Sequence, residues 1–157
     1  GAAPVVRFPI DGSCKDALPV LLSIGAHLAE EETEMECELE DKPTPDSRYR
    51  FLESKPSPEG FRAYQVFRPE DKKPAFRCFV TPLKDNKAYL HRIATRKDLI
   101  GQGVGSELFP QFLGLLKKLG YKKATMQVTA SNTPAVRLYT ANGFRETTSL
   151  RYYELML

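Results

Sequence analysis

The alternation of polar and apolar positions along the 157 residues separates a loosely patterned first half from a sharply patterned second half. Val5-Val6-Arg7-Phe8-Pro9-Ile10 predicts a short strand ending at the turn residues Asp11-Gly12-Ser13. From Asp16 to about Glu32, Leu18, Leu21, Leu22, Gly25 and Leu28 recur at three- and four-residue steps, which predicts a helix. An acidic stretch over residues 30–41 follows, closed by Pro43 and Pro45. Short alternating or apolar runs at 49–52, 61–67, 75–80 and 88–95 predict neighbouring antiparallel strands, the last reached through an Asp85-Asn86 turn.

The period changes at Gly101. Val104, Leu108, Phe112, Leu115, Leu116 and Leu119 mark one face of a helix stopped by Gly120. Pro110 falls inside that pattern, where it removes a backbone hydrogen bond and should bend the helix. Residues 124–130 predict a strand. Asn132 suits an N-cap, Pro134 the first turn of a short helix, and Asn142-Gly143 its end. Residues 144–150 and 152–157 predict a closing hairpin. This order describes an α/β sheet protein, one domain over residues 1–157, without internal repeat.

Composition narrows the function classes. The apolar fraction of 41% suits a chain that buries a core without disulfide or metal support. No apolar run reaches the roughly 18–20 residues that cross a bilayer. Gly1-Ala2-Ala3-Pro4 has no cationic stretch before an apolar one, so the expectation is a cytoplasmic protein without a membrane partner. A net charge of +3 on scattered Lys and Arg argues against nucleic acid. Cys14, Cys37 and Cys78 are widely spaced, and His27 and His91 are the sole histidines, so no metal cluster is expected.

Ile100-Gly101-Gln102-Gly103-Val104-Gly105-Ser106 lies between a strand and an amphipathic helix. Glycines there let main-chain N–H groups face a ligand without Cβ obstruction, and the helix N-terminus adds partial positive charge. That combination suits a diphosphate, although three alternate glycines also fit a plain tight turn. A P-loop would need Lys then Ser/Thr after its last glycine, where Ser106-Glu107 stands. A dinucleotide fingerprint would need glycine at position 106.

Residues 91–105 are followed, after a helix and a strand, by Ser131-Asn132-Thr133-Pro134-Ala135-Val136-Arg137-Leu138-Tyr139-Thr140-Ala141-Asn142-Gly143-Phe144. This pair of segments resembles the GCN5-related N-acetyltransferase superfamily over about residues 75–157. The first is similar to its Arg/Gln-x-x-Gly-x-Gly/Ala motif, the second to its Asn-x-x-Ala-x-x-Leu-Tyr-x-x-x-Gly-Phe signature. The resemblance implies a mixed, mostly antiparallel sheet of six or seven strands with a splayed central pair and about four helices. It also implies acetyl-CoA as acyl donor, without metal, and an amine acceptor, either a small molecule or a peptide. The alternative from the same resemblance is a coenzyme-binding regulatory module with little turnover. The tyrosine-rich terminal hairpin offers an edge for a homodimer.

The implied site follows residue by residue. Backbone groups of Ile93, Ala94 and Thr95 would meet the pantetheine arm, with the Thr95 amide near the acetyl oxygen. Ile100, Gly101, Gln102, Gly103, Val104, Gly105 and Ser106 would line the diphosphate, and Asn132 and Ala135 would approach the coenzyme from the second segment. Ile100 departs from the usual Arg or Gln, a loss that Arg96 or Lys97 could offset. Tyr139 would protonate the leaving thiolate. Gln127 stands where many relatives carry a basic glutamate, which leaves His91, Tyr89 or a water chain to take the amine's proton. The carboxylates of residues 30–41 would attract a cationic acceptor, or form a solvated and partly disordered face.

Overall fold

A computed structural model describes residues 5–10 and 17–156. The strands are β1 (Val5–Ile10), β2 (His27–Glu38), β3 (Arg50–Glu53), β4 (Arg62–Phe67), β5 (Phe76–Leu83), β6 (Lys87–Thr95), β7 (Lys123–Thr129) and β8 (Arg145–Met156). The α-helices are α1 (Ala17–Ser23), α2 (Val104–Lys118) and α3 (Thr133–Ala141). Among the described residues, the strands form one eight-stranded sheet in the order β1-β8-β2-β7-β6-β5-β4-β3. Only β6 and β7 run parallel; the other neighbours are antiparallel.

Three expectations change. The helix reaching to Glu32 stops at Ser23, because Gly25 takes a φ of +93 and breaks the pattern. The acidic stretch is neither helix nor loose surface. Thr33, Met35, Cys37 and Leu39 are buried while glutamates fill the alternate positions, a two-residue period that makes β2 a central strand. The closing hairpin is instead the single strand β8, which lacks turn residues at Leu150-Arg151-Tyr152 and finds β1 and β2 as partners on its two sides. The sheet therefore has more strands than the six or seven expected, with α1, α2 and α3 as the described α-helices. The Asp11-Gly12-Ser13 turn, Cys14 and Asp16 lie outside the described residues.

The core lies between the sheet and α2. Leu108, Phe109, Phe112, Leu113 and Leu116 of α2 are fully buried against Phe76, Cys78, Val80, Leu90, Ala124 and Met126 from β5, β6 and β7. α2 runs through Pro110 without interruption. Its outer turns hold the segment after β2: Gln111 Oε1 accepts from Asp46 N at 2.8 Å, and Lys117 Nζ donates to the Lys42 carbonyl at 3.0 Å. Gly114 lies so close to Pro43 and Pro45 that a Cβ there would collide with the Pro43 carbonyl. A second, smaller cluster joins Leu21 of α1 to Tyr153 and Ala26 at the other end of the sheet.

The parallel junction positions the site. β6 and β7 pair at Lys87–Lys123, Ala88–Ala124 and Tyr89–Thr125 and then part. Beyond that point β6 bulges: Arg92 has a φ of +50, and the β5–β6 register shifts between Arg77 and Phe79. A gap opens in the middle of the sheet.

Candidate active site

The glycine turn stands at the mouth of that gap. Gly101 and Gly103 have φ values of +82 and +76, with no atom within 4 Å of where a Cβ would sit on either. Gly103 is the left-handed N-cap of α2, so the first N–H groups of the helix are left without internal partners. No described residue accepts from the main-chain N–H groups of Gly101, Gly103, Val104, Gly105 or Ser106. Gly105 serves closeness of a different kind: a Cβ would touch Thr95 Oγ1 at 3.4 Å and Leu138 at 3.6 Å, so α2, β6 and α3 meet there.

The neighbouring side chains are partly committed. Gln102 gives its N–H to Leu99 O at 3.3 Å and its side-chain amide to Asp98 O at 2.8 Å, bracing the turn. Ile100 is exposed. Arg96 does not compensate for it, since its guanidinium holds Asp98 at 2.7 Å and the Lys73 carbonyl at 3.0 Å. Lys97 remains. It and Arg77 give cationic character to a cavity of about 480 Å³ beside the turn, lined also by Gln65, Thr95 and Ile100.

Alternation aims the end of β6. Arg96 N donates to Ala75 O at 2.9 Å, toward β5. Successive strand N–H groups point to opposite sides, so the Thr95 N–H points into the gap that β7 has vacated. Ile93 shares that orientation, and Ala94 faces β5, paired with Arg77.

Tyr139 comes from α3, the helix capped by Asn132 Oδ1, which accepts from Ala135 N at 3.4 Å. Lys42 Nζ donates to the Asn142 carbonyl at 2.7 Å and closes the other end. The Tyr139 ring is buried against Phe109 and Phe144, with centroids at 5.5 and 6.0 Å. Burial pushes its hydroxyl up to about 12. It therefore stays protonated at neutral pH and lies on the α2 side of the gap.

His91 and Tyr89 lie on the opposite side of the sheet. Leu90 points into the core between them, and Tyr89 pairs with Thr125, Glu36 with Thr125 and Glu34 with Gln127, so all of these share one face. The His91 ring stacks on Tyr89 at 5.4 Å and meets Phe61 and Phe79 edge-on. Its Nε2 is 3.0 Å from Thr81 Oγ1. Burial, with Arg92 adding repulsion, lowers its pKa, so the ring is neutral at pH 7. Sequence reading left the face of His91 open and tied the acidic stretch to a cationic acceptor without recognising it as a strand. The signal was present in the Glu-x-Glu-x-Glu alternation of residues 32–38.

The gap therefore has a glycine turn and a buried phenol on one side, and a histidine, a tyrosine and glutamates on the other. No described helix is long and apolar enough to cross a membrane. Among solved structures, the chain is similar to a GCN5-related N-acetyltransferase from Sphaerobacter thermophilus, with a TM-score of 0.76 and 15% identity over 99% of this chain and 60% of that one. It is also similar to a GNAT family acetyltransferase from Elizabethkingia anophelis with acetyl-CoA bound, with a TM-score of 0.53 and 15% identity over 71% of this chain and 100% of that one. A curated relative is the [ribosomal protein bS18]-alanine N-acetyltransferase of Escherichia coli, 35% identical over 74 residues, 47% of this chain and 50% of the relative. The chain thus spans about half the length of the curated relatives it matches. With the sequence model of the acetyltransferase (GNAT) family matching residues 27–144 as well, the chain belongs to that family.

Proposed function

We propose that the chain binds acetyl-CoA at the turn of residues 101–106 and transfers the acetyl group to a primary amine, both substrates being bound together. The observation that carries this reading is the set of five main-chain N–H groups at the head of α2 that find no acceptor among the described residues, beside a sheet that opens at the same place. A diphosphate would satisfy those groups, with Lys97 and Arg77 adding charge from the adjoining cavity. The pantetheine arm would lie along the exposed edge of β6, meeting Ile93 and Thr95 as a further strand would.

The chemistry follows from the two sides of the gap. The Thr95 N–H would stabilise negative charge developing on the acetyl oxygen. Tyr139 would protonate the departing sulfur. A phenol at about 12 is a weak acid in water for a thiolate near 8.5, but the same burial raises any thiolate beside it. The amine would approach from the face of Tyr89 and His91, where neutral His91 is one proton acceptor. The E. coli relative, named for an alanine of ribosomal protein bS18, supports a peptide acceptor, and the carboxylates of β2 support a cationic one.

A coenzyme-binding module with little turnover is the second reading, favoured by Ile100 and by Gln127 at the position where relatives carry glutamate. Calorimetry with acetyl-CoA and thiol release against a panel of amines separate the two. Binding with transfer supports the enzyme, binding without transfer supports the module, and absence of binding rejects both.

A further inference from the structure

β2 pairs with β7 beside the point where β6 departs, and its carboxylates are unequally occupied. Glu30 is bonded to Arg7 at 2.6 Å, Glu31 lies 3.8 Å from Arg151, Glu36 2.9 Å from Lys87 and Glu38 3.4 Å from Lys123. Glu32 and Glu34 have no ion pair among the described residues. Both are half-buried, and their charge reaches the Tyr89 hydroxyl, raising its pKa beyond what burial alone does.

The register selects between them. Tyr89–Thr125 is the last pair before β6 and β7 part, and Gln127 is the next residue of β7 on that face. Glu34 is the cross-strand partner of Gln127, about 5 Å away between backbones, whereas Glu32 lies one step further from the start of the gap, opposite Thr129. The glutamate missing at position 127 is present one strand over.

We infer that Glu34, supplied by β2, is the catalytic proton acceptor for a cationic amine in the reaction proposed above. The inference rests on that reading of the site. The acceptor arrives as an ammonium and one proton passes to the Glu34 carboxylate, then to solvent. The freed nitrogen lone pair forms the bond to the acetyl carbon and the carbon–sulfur bond breaks. The sulfur takes a proton from Tyr139, which regains one from the new amide nitrogen. The products are the acetylated amine, the free thiol and one released proton. His91 is less suited to the first step because Thr81 holds its Nε2 and three aromatic rings enclose it.

The test is a pH series of kcat/KM from 7 to 9 on the full chain, with spermidine and an alanine-initiated peptide as probe amines. The titratable and charged groups on the sheet face of Glu34 are Glu32 and Glu36 on β2, Lys87, Tyr89 and His91 on β6, and Arg145 on β8, so Glu34→Gln is run beside His91→Gln. Glu34→Gln should bind acetyl-CoA within about twofold of the parent and lose about 100-fold in kcat/KM at pH 7. With spermidine that deficit should shrink by about tenfold per pH unit as free amine accumulates. With the peptide it should level off at about pH 8, where the α-amino group titrates, while His91→Gln loses activity by the same factor at every pH. An unchanged rate, a deficit independent of pH, or the pH-dependent loss appearing in His91→Gln instead would overturn the assignment. If the parent binds acetyl-CoA yet acetylates neither probe, the transfer reading itself fails and takes this inference with it.

Discussion

Tyr89 on β6 and Thr125 on β7 form the last pair before the two strands part, and the chemistry assigned to this chain begins at that pair. On one side of the sheet the vacated edge of β6 faces α2 and Tyr139. On the other it faces His91 and the carboxylates of β2.

Tyr139 has two roles to separate, packing α3 on Phe109 and Phe144 and donating a proton. Tyr139→Phe keeps the ring and removes only the hydroxyl. Turnover should fall by about 100-fold with the acetyl-CoA dissociation constant unchanged, as measured by thiol release and calorimetry. Unchanged turnover would leave the residue with packing alone.

The glycine turn can be challenged with charge instead of bulk. Gly101 has a left-handed φ and open space around its missing Cβ, and aspartate tolerates that backbone better than most residues. Gly101→Asp should therefore fold, while its carboxylate repels the diphosphate. Coenzyme A affinity should drop at least about tenfold, with the melting temperature lowered by only a few degrees for the left-handed backbone.

Gly114 tests the packing that positions α2. A methyl group there meets the Pro43 carbonyl and the Pro45 ring, and main chain cannot give way as a flexible side chain would. Gly114→Ala should cost about 1–3 kcal/mol by overpacking, despite the better helix propensity of alanine. Denaturant titration would read it as a lower midpoint at an unchanged slope.

Asp71 links stability to acid. Its buried carboxylate accepts from Arg68 N, Nε and Nη2, each at 2.8 Å, and the Arg68 guanidinium holds its pKa below the ordinary carboxylate value. The folded pKa is depressed, so the stabilisation is fully present above the unfolded value of about 3.9 and fades as pH falls through the lower folded one. Asp71→Asn should lose about 1.5–3 kcal/mol at pH 7, and the gap from the parent should narrow in acid melts.

The second half of the chain was legible because its signals are local. The Asn132 cap and the left-handed end at Gly143 act within a few residues and are found as read. The period of α2 holds at Val104, Leu108, Phe112 and Leu116, although Leu119 is exposed. Pro110 broke a local rule without ending its helix, since the burial of Phe109, Phe112 and Leu113 on the sheet outweighs one lost hydrogen bond. The first half was misread where local and distant signals disagree. Leucine spacing around Leu18–Leu28 suggests a helix, but from Glu32 the partners that decide the conformation are β7 and β8. For the same reason β8 looked like a hairpin. Nothing within its own twelve residues reveals that both neighbours come from the N-terminal end.

That insertion also governs how the protein is made. The Thr125 hydroxyl bonds the Met35 carbonyl across 90 residues of sequence, so β2 must wait for its β7 partner until the residues between them have been made. Pairings this distant delay folding, and until they form β2 offers one apolar face and unpaired backbone groups to whatever it meets.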